Sequence, residues 1–92
     1  MTHRDVFIVS TARTAIGTFG GALKDVPNTQ LATTAVKAAI ARSGLAPDAV
    51  GHVVMGNVIP TDTKDAYLAR VAAIDAGCPI ETPAFNVNRL CG

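Results

Sequence analysis

Cys91 and Cys78 are the soft nucleophiles of this 92-residue chain, and their surroundings differ. Cys91 follows Asn88-Arg89-Leu90 and precedes Gly92, a setting suited to a sharp turn that presents a thiol at the first turn of a following helix. An ordinary thiol has a pKa of about 8.5, and helix N-terminal amides together with a neighbouring base can lower it to roughly 3.5–7.5 by favouring the anion. One unit of lowering needs about 1.4 kcal/mol, more than a helix end alone gives, so an adjacent base is expected as a second contributor. The alternative for Cys91 is the usual fate of a free cysteine, a small buried hydrophobe. Cys78 lies between Gly77 and Pro79 with nothing basic beside it, and is read as a packing residue.

The other candidates point to structure more than to chemistry. His52 falls between Gly51 and Val53 in a predicted strand and is read as a hydrogen-bonded structural histidine; His3 is terminal and solvated. The spacing of the cysteines and histidines matches no short ligand motif, so no metal is expected. The loop Arg13-Thr14-Ala15-Ile16-Gly17-Thr18-Phe19-Gly20-Gly21 follows a predicted strand, but its glycines do not make G-x-G-x-x-G and no Gly-Lys-Ser/Thr follows, which argues against a phosphate cradle. Arg13 is expected to pin that loop by hydrogen bonds to carbonyls or a carboxylate. Asn86, Asn88 and Arg89 bracket the end of the strand before Cys91 and are expected to satisfy backbone groups around the turn.

The elements that would position these residues alternate. Val6 to Ser10 is an apolar, β-branched run, as in a parallel strand covered on both faces. After a long glycine-containing loop, Asn28 or Thr29 can cap a helix whose stripe is Leu31, Ala32, Ala35, Val36, Ala39 and Ile40, closed by Gly44. Val50 to Ile59 predicts a second buried strand, ended by Pro60. Asp62 or Thr63 can cap a second helix along Tyr67, Leu68, Val71 and Ala72, stopped by Gly77 and Pro79, and Ala84 to Asn88 predicts a third strand. The order β-α-β-α-β implies an α/β fold with right-handed crossovers onto a parallel sheet, whose ligands collect beyond the carboxyl ends of the strands, where Cys91 lies. A sheet that stops there looks unfinished.

Composition narrows the function. Apolar residues are 49% and charged residues 16% of the chain, which fits a packed chain and not a disordered tail. A net charge of +1 sets up no field to recruit nucleic acid or an anionic membrane. Aromatics are only 4% with no Trp, so the layers are expected to approach closely through Ala, Gly and Val. Two cysteines form at most one disulfide, and the N-terminal apolar run is too short for a signal h-region or a span; the chain is read as cytoplasmic.

Three blocks resemble the thiolase family, the acyl-CoA acetyltransferases also called β-ketothiolases: Arg13 to Gly21, Met55-Gly56-Asn57-Val58, and Asn88-Arg89-Leu90-Cys91-Gly92. The likeness runs over the whole chain but over only the first quarter or so of a thiolase. It implies that residues 1–92 are the N-terminal portion of the thiolase N-terminal domain, the start of a five-stranded mixed sheet in a layered fold. It further implies that Cys91 is the acyl-thioester nucleophile and that its main-chain N–H serves an oxyanion hole. Acetyl-CoA and acyl-CoA would be substrates in fatty acid metabolism, with no separate cofactor. The family's histidine base, second cysteine and coenzyme A loop come later in the chain and have no counterpart here, so no residue is assigned to coenzyme A binding. The resemblance also implies a remaining thiolase polypeptide as partner and a homo-oligomer, a dimer or tetramer.

The stretch from Ile59 to Arg70 departs from the commonest thiolase pattern and is more similar to bacterial β-ketothiolases of broader chain length. The competing readings are a ketoacyl synthase-like condensing enzyme and a noncatalytic, lipid-binding thiolase-like scaffold; Asn88-Arg89-Leu90 before the cysteine favours thiolase.

Overall fold

A computed structural model describes residues 2–92. Helix α1 spans Asn28–Ser43 and half-buries the stripe read from its sequence, with Ala32 buried. It starts from the extended residue Pro27, whose carbonyl accepts the N–H groups of Gln30 and Leu31 at 3.0 and 3.2 Å. Asn28 does not cap it, because its side chain is engaged elsewhere. Gly44, at φ 75°, ends it as expected.

Strand β1 (Val53–Gly56) and strand β2 (Ala84–Val87) pair in parallel, with Val53 opposite Ala84 and Gly56 opposite Val87. Between them, the 3₁₀ turn Thr63–Tyr67 runs into helix α2 (Leu68–Asp75). The Asp62 side chain accepts the Thr63 N–H, which starts the turn as its sequence predicts. The stop is equally local. Gly77 takes φ 93°, its N–H donates to the Ile74 carbonyl at 3.0 Å, and the Cys78 N–H donates to the Ala73 carbonyl at 2.9 Å. These two bonds form a Schellman cap, which a side chain at position 77 would strain.

The core is built mainly of small side chains. Ala69, Ala72 and Ala73 are 0% exposed; Ala69 and Ala73 pack with Val53 and Cys78, while Ala72 packs with Ala32 and Leu68. Met55 touches both groups and joins α1, α2 and the sheet. Alanine allows this close approach, as the scarcity of aromatics implies. Among the described residues no helix is long and apolar enough to cross a membrane.

Two expectations are corrected. The described residues make two strands, not three, so their order is α-β-α-β in place of β-α-β-α-β. Val6 to Ser10 forms no strand, and Val6 and Ile8 are 91% and 88% exposed. An apolar run signals a segment that must be covered, but a strand also needs a partner edge. Here β1 and β2 pair only with each other. The segment is tethered at its end, where Ser10 Oγ donates to the Ala39 carbonyl at 2.6 Å and Arg42 Nη1 to the Thr11 carbonyl at 3.0 Å. The radius of gyration is 14.3 Å, against about 12 Å for a compact chain of this length.

The second correction concerns β1, which is shorter than Val50 to Ile59 and is covered on one face only. Val53 and Met55 turn toward α2, whereas Val54 is exposed, as are Phe85 and Val87 on β2. Alternation, not a uniformly buried run, is what one helical layer can support.

Candidate active site

Cys91 lies four residues beyond Val87, in a turn that leaves its side chain exposed and unpaired with another sulfur. A Cβ at the neighbouring Gly92 would overlap the stem of the exposed Arg89 side chain, which would have to move aside. Cys78 is buried in the core, as its sequence setting implies. The two thiols therefore differ in access: one is a packing atom and the other meets solvent.

The remaining residues singled out from sequence do not gather around Cys91 as a set. His52 precedes β1, is exposed, and meets the Phe85 ring edge-on at a centroid distance of 5.1 Å, an aromatic contact in place of the hydrogen-bonded structural role expected. His3 is exposed. Arg13 is exposed and donates to the carbonyl of its neighbour Thr14 at 3.1 Å. Asn88 and Arg89 are exposed alongside Cys91. Among the described residues, no group of three or more His, Cys, Asp and Glu could hold a metal.

Asn86 is different. Its Oδ1 accepts the Ala69 N–H at 2.8 Å, and its Nδ2 donates to the carbonyls of Ala66 at 3.1 Å and Asp65 at 3.3 Å. The Ala69 N–H is one of the orphan donors in the first turn of α2, and no residue at the helix's own start caps it. A strand side chain thus does the capping across the layer, and only this orientation of the amide satisfies all three backbone groups.

Sequence reading missed the residue at the centre of this arrangement. Asp65 is 1% exposed. Its Oδ2 accepts the Thr61 hydroxyl, the Thr61 N–H at 2.9 Å and Asn28 Nδ2 at 3.1 Å, while its carbonyl accepts Asn57 Nδ2 at 3.0 Å. This explains why Asn28 does not cap α1. A signal was present: position 65 falls on the same helical stripe as Leu68, Ala69 and Ala72, where a carboxylate is out of place unless hydrogen-bonded.

The Thr61 hydroxyl and then the Thr61 N–H hold the Asp65 carboxyl below the ordinary carboxylate range; burial opposes this, and Asn28 and the Asp62 backbone add to the lowering. A carboxylate whose folded pKa is depressed contributes stability that is whole above its unfolded value of about 3.9 and is lost as pH falls through the lower, folded value. The urea midpoint of Asp65→Asn is therefore expected to lie below that of the parent near neutrality, with the gap closing as pH is stepped below about 4. A gap that widens in acid would reverse the sign of this effect.

An α/β unit with an accessible thiol beyond the carboxyl end of a parallel strand belongs to the class of open α/β sheets, whose ligands collect at that end. Comparison narrows the class to one family. The thiolase N-terminal domain matches residues 6–92, and the chain belongs to the thiolase family. It is 56% identical over 89 residues to beta-ketothiolase BktB of Cupriavidus necator, covering 97% of this chain and 23% of that protein. It is 45% identical over 89 residues to human mitochondrial 3-ketoacyl-CoA thiolase, covering 97% of this chain and 22% of the relative. An acetyl-CoA acetyltransferase of Clostridioides difficile is 44% identical over 89 residues, which make up 82% of its length. The crystal structure of the human mitochondrial enzyme in complex with CoA superposes with a TM-score of 0.89 at 44% identity, covering 94% of this chain and 22% of that one. The chain thus spans under a quarter of the length of the first two relatives and of that structure.

Proposed function

We propose that this chain supplies the nucleophile of a β-ketothiolase, with Cys91 carrying the acyl group. The observation that carries the reading is the difference between the two thiols: the one at the family's motif is exposed beyond β2 and the other is sealed in the core.

In the synthetic direction a base takes the Cys91 thiol proton, the thiolate attacks the carbonyl carbon of acetyl-CoA, and collapse of the tetrahedral intermediate expels coenzyme A as its thiolate, which takes that proton back from the base. The carbanion of a second acyl-CoA then attacks the acetyl-cysteine, forming the new carbon–carbon bond and returning the thiolate. Exchange of one thioester for another is near energetic balance, so the same steps run backwards as thiolysis. The main-chain N–H of Cys91 would stabilise the oxyanion of the tetrahedral intermediate.

The base that deprotonates the second substrate belongs to the remainder of the enzyme. Purified alone, the 92-residue chain is therefore expected to show no thiolysis of acetoacetyl-CoA. Substituted for the matching segment of the Cupriavidus necator enzyme, residues 6–92 are expected to sustain it. Turnover by the lone chain would overturn the dependence on further polypeptide, and a folded but inactive chimera would overturn the thiolase reading.

A further inference from the structure

The exits of both strands are tied to one carbonyl. Asn57, the residue after β1, donates its main-chain N–H to the Val87 carbonyl at 3.0 Å and its side-chain amide to the Asp65 carbonyl at 3.0 Å. Asn86, on β2, donates to the same Asp65 carbonyl and caps α2 at Ala69. The same carbonyl also accepts the Leu68 main-chain N–H, so three donors converge on it and join both strand exits to the start of α2. The Asp65 carboxylate in turn is gripped by Thr61 and Asn28, which fixes the carbonyl's segment against α1. Asn88 to Gly92 are exposed, so the path of that segment is set where β2 is anchored.

We propose that Asn57, with Asn86 as its counterpart, is a positioning residue for the Cys91 thiol, holding the end of β2 in place by clamping the Asp65 carbonyl. The proposal rests on the acyl-transfer reading above. Neither asparagine would touch substrate. Each acts through the backbone: the Asn57 side chain ties the Asp65 carbonyl to the residue whose main-chain N–H holds the last ladder carbonyl before the turn, and Asn86 stops the strand from sliding along α2. A reacting sulfur displaced by about 1 Å from its line of attack loses roughly 10²-fold in rate, whereas substrate affinity built elsewhere is unaffected.

The test uses the complete enzyme carrying these residues. Asn57→Asp keeps the shape of the side chain but turns an acceptor toward the Asp65 carbonyl. It is expected to lower kcat roughly 10²-fold with KM held within about twofold, and to slow alkylation of Cys91 by iodoacetamide across the pH range. Asn57→Gln, which restores an amide donor, is expected to recover most of the loss. Should Asn57→Asp not fold, Asn86→Ala is to be measured in its place, with the same split expected. If Cys91→Ser is inactive while the folded asparagine variants keep parental kcat and alkylation rates, with only a lower melting temperature, the clamp is structural and the proposal is overturned. If Cys91→Ser retains turnover, the acyl-transfer reading fails first and the clamp has no thiol to position.

Discussion

In the complete enzyme, Cys91→Ala is expected to lower turnover of acetoacetyl-CoA by at least about 10³-fold, because removal of a covalent nucleophile leaves only binding and oxyanion stabilisation. Cys78→Ala is the natural control. That thiol is enclosed by Val53, Ala69 and Ala73, so its loss should cost some stability while kcat per folded molecule stays at the parental level. Incubation with labelled acetyl-CoA should transfer one acetyl group to the parent and to Cys78→Ala, and none to Cys91→Ala, when the proteins are denatured and digested. Label recovered on Cys78, or on Cys91→Ala, would show that the acyl group is carried elsewhere.

The family was legible because the motif around Cys91 is local, five residues from Asn88 to Gly92. Helix stops were legible for the same reason. Gly44 and Gly77 each take the left-handed conformation their position demands, and nothing distant decides it. Pairing was not legible in that way. Val6 to Ser10 has the composition of a strand, yet whether it forms a ladder depends on an edge contributed by other residues. Likewise the apolar run around β1 announced burial without saying on which face, and one face of the sheet is open here. The clamp around Asp65 was hidden only in part by sequence distance: Thr61 and Asn57 lie four and eight residues from it, whereas Asn28 on α1 and Asn86 on β2 lie 37 and 21 residues away and reach it through tertiary packing. Asn86 was the partial exception: its place at the strand end suggested service to backbone groups, although not which helix it would cap.

Overpacking beneath α2 should be the most damaging change to the fold. Ala73 is fully buried against Val53, Ala69 and Cys78, and its carbonyl also accepts the Schellman bond from Cys78. Ala73→Leu must either push α2 off the sheet or force its neighbours from their rotamers, at a cost of about 1–3 kcal/mol. A chain of this size buries only about 60–65% of its unfolded surface, so such a loss is a large share of its stability. The urea midpoint of the 92-residue chain should fall accordingly. Ile74→Ala, one position along on the exposed side of the helix, should stay within about 0.5 kcal/mol of the parent. The consequence reaches the site, because lifting α2 withdraws Ala69 from Asn86 and strains the clamp at Asp65. Amide exchange at Ala69 should therefore quicken in Ala73→Leu. An unchanged midpoint with unchanged exchange would mean that the alanine layer is not the close contact that holds β2, and with it Cys91, in place.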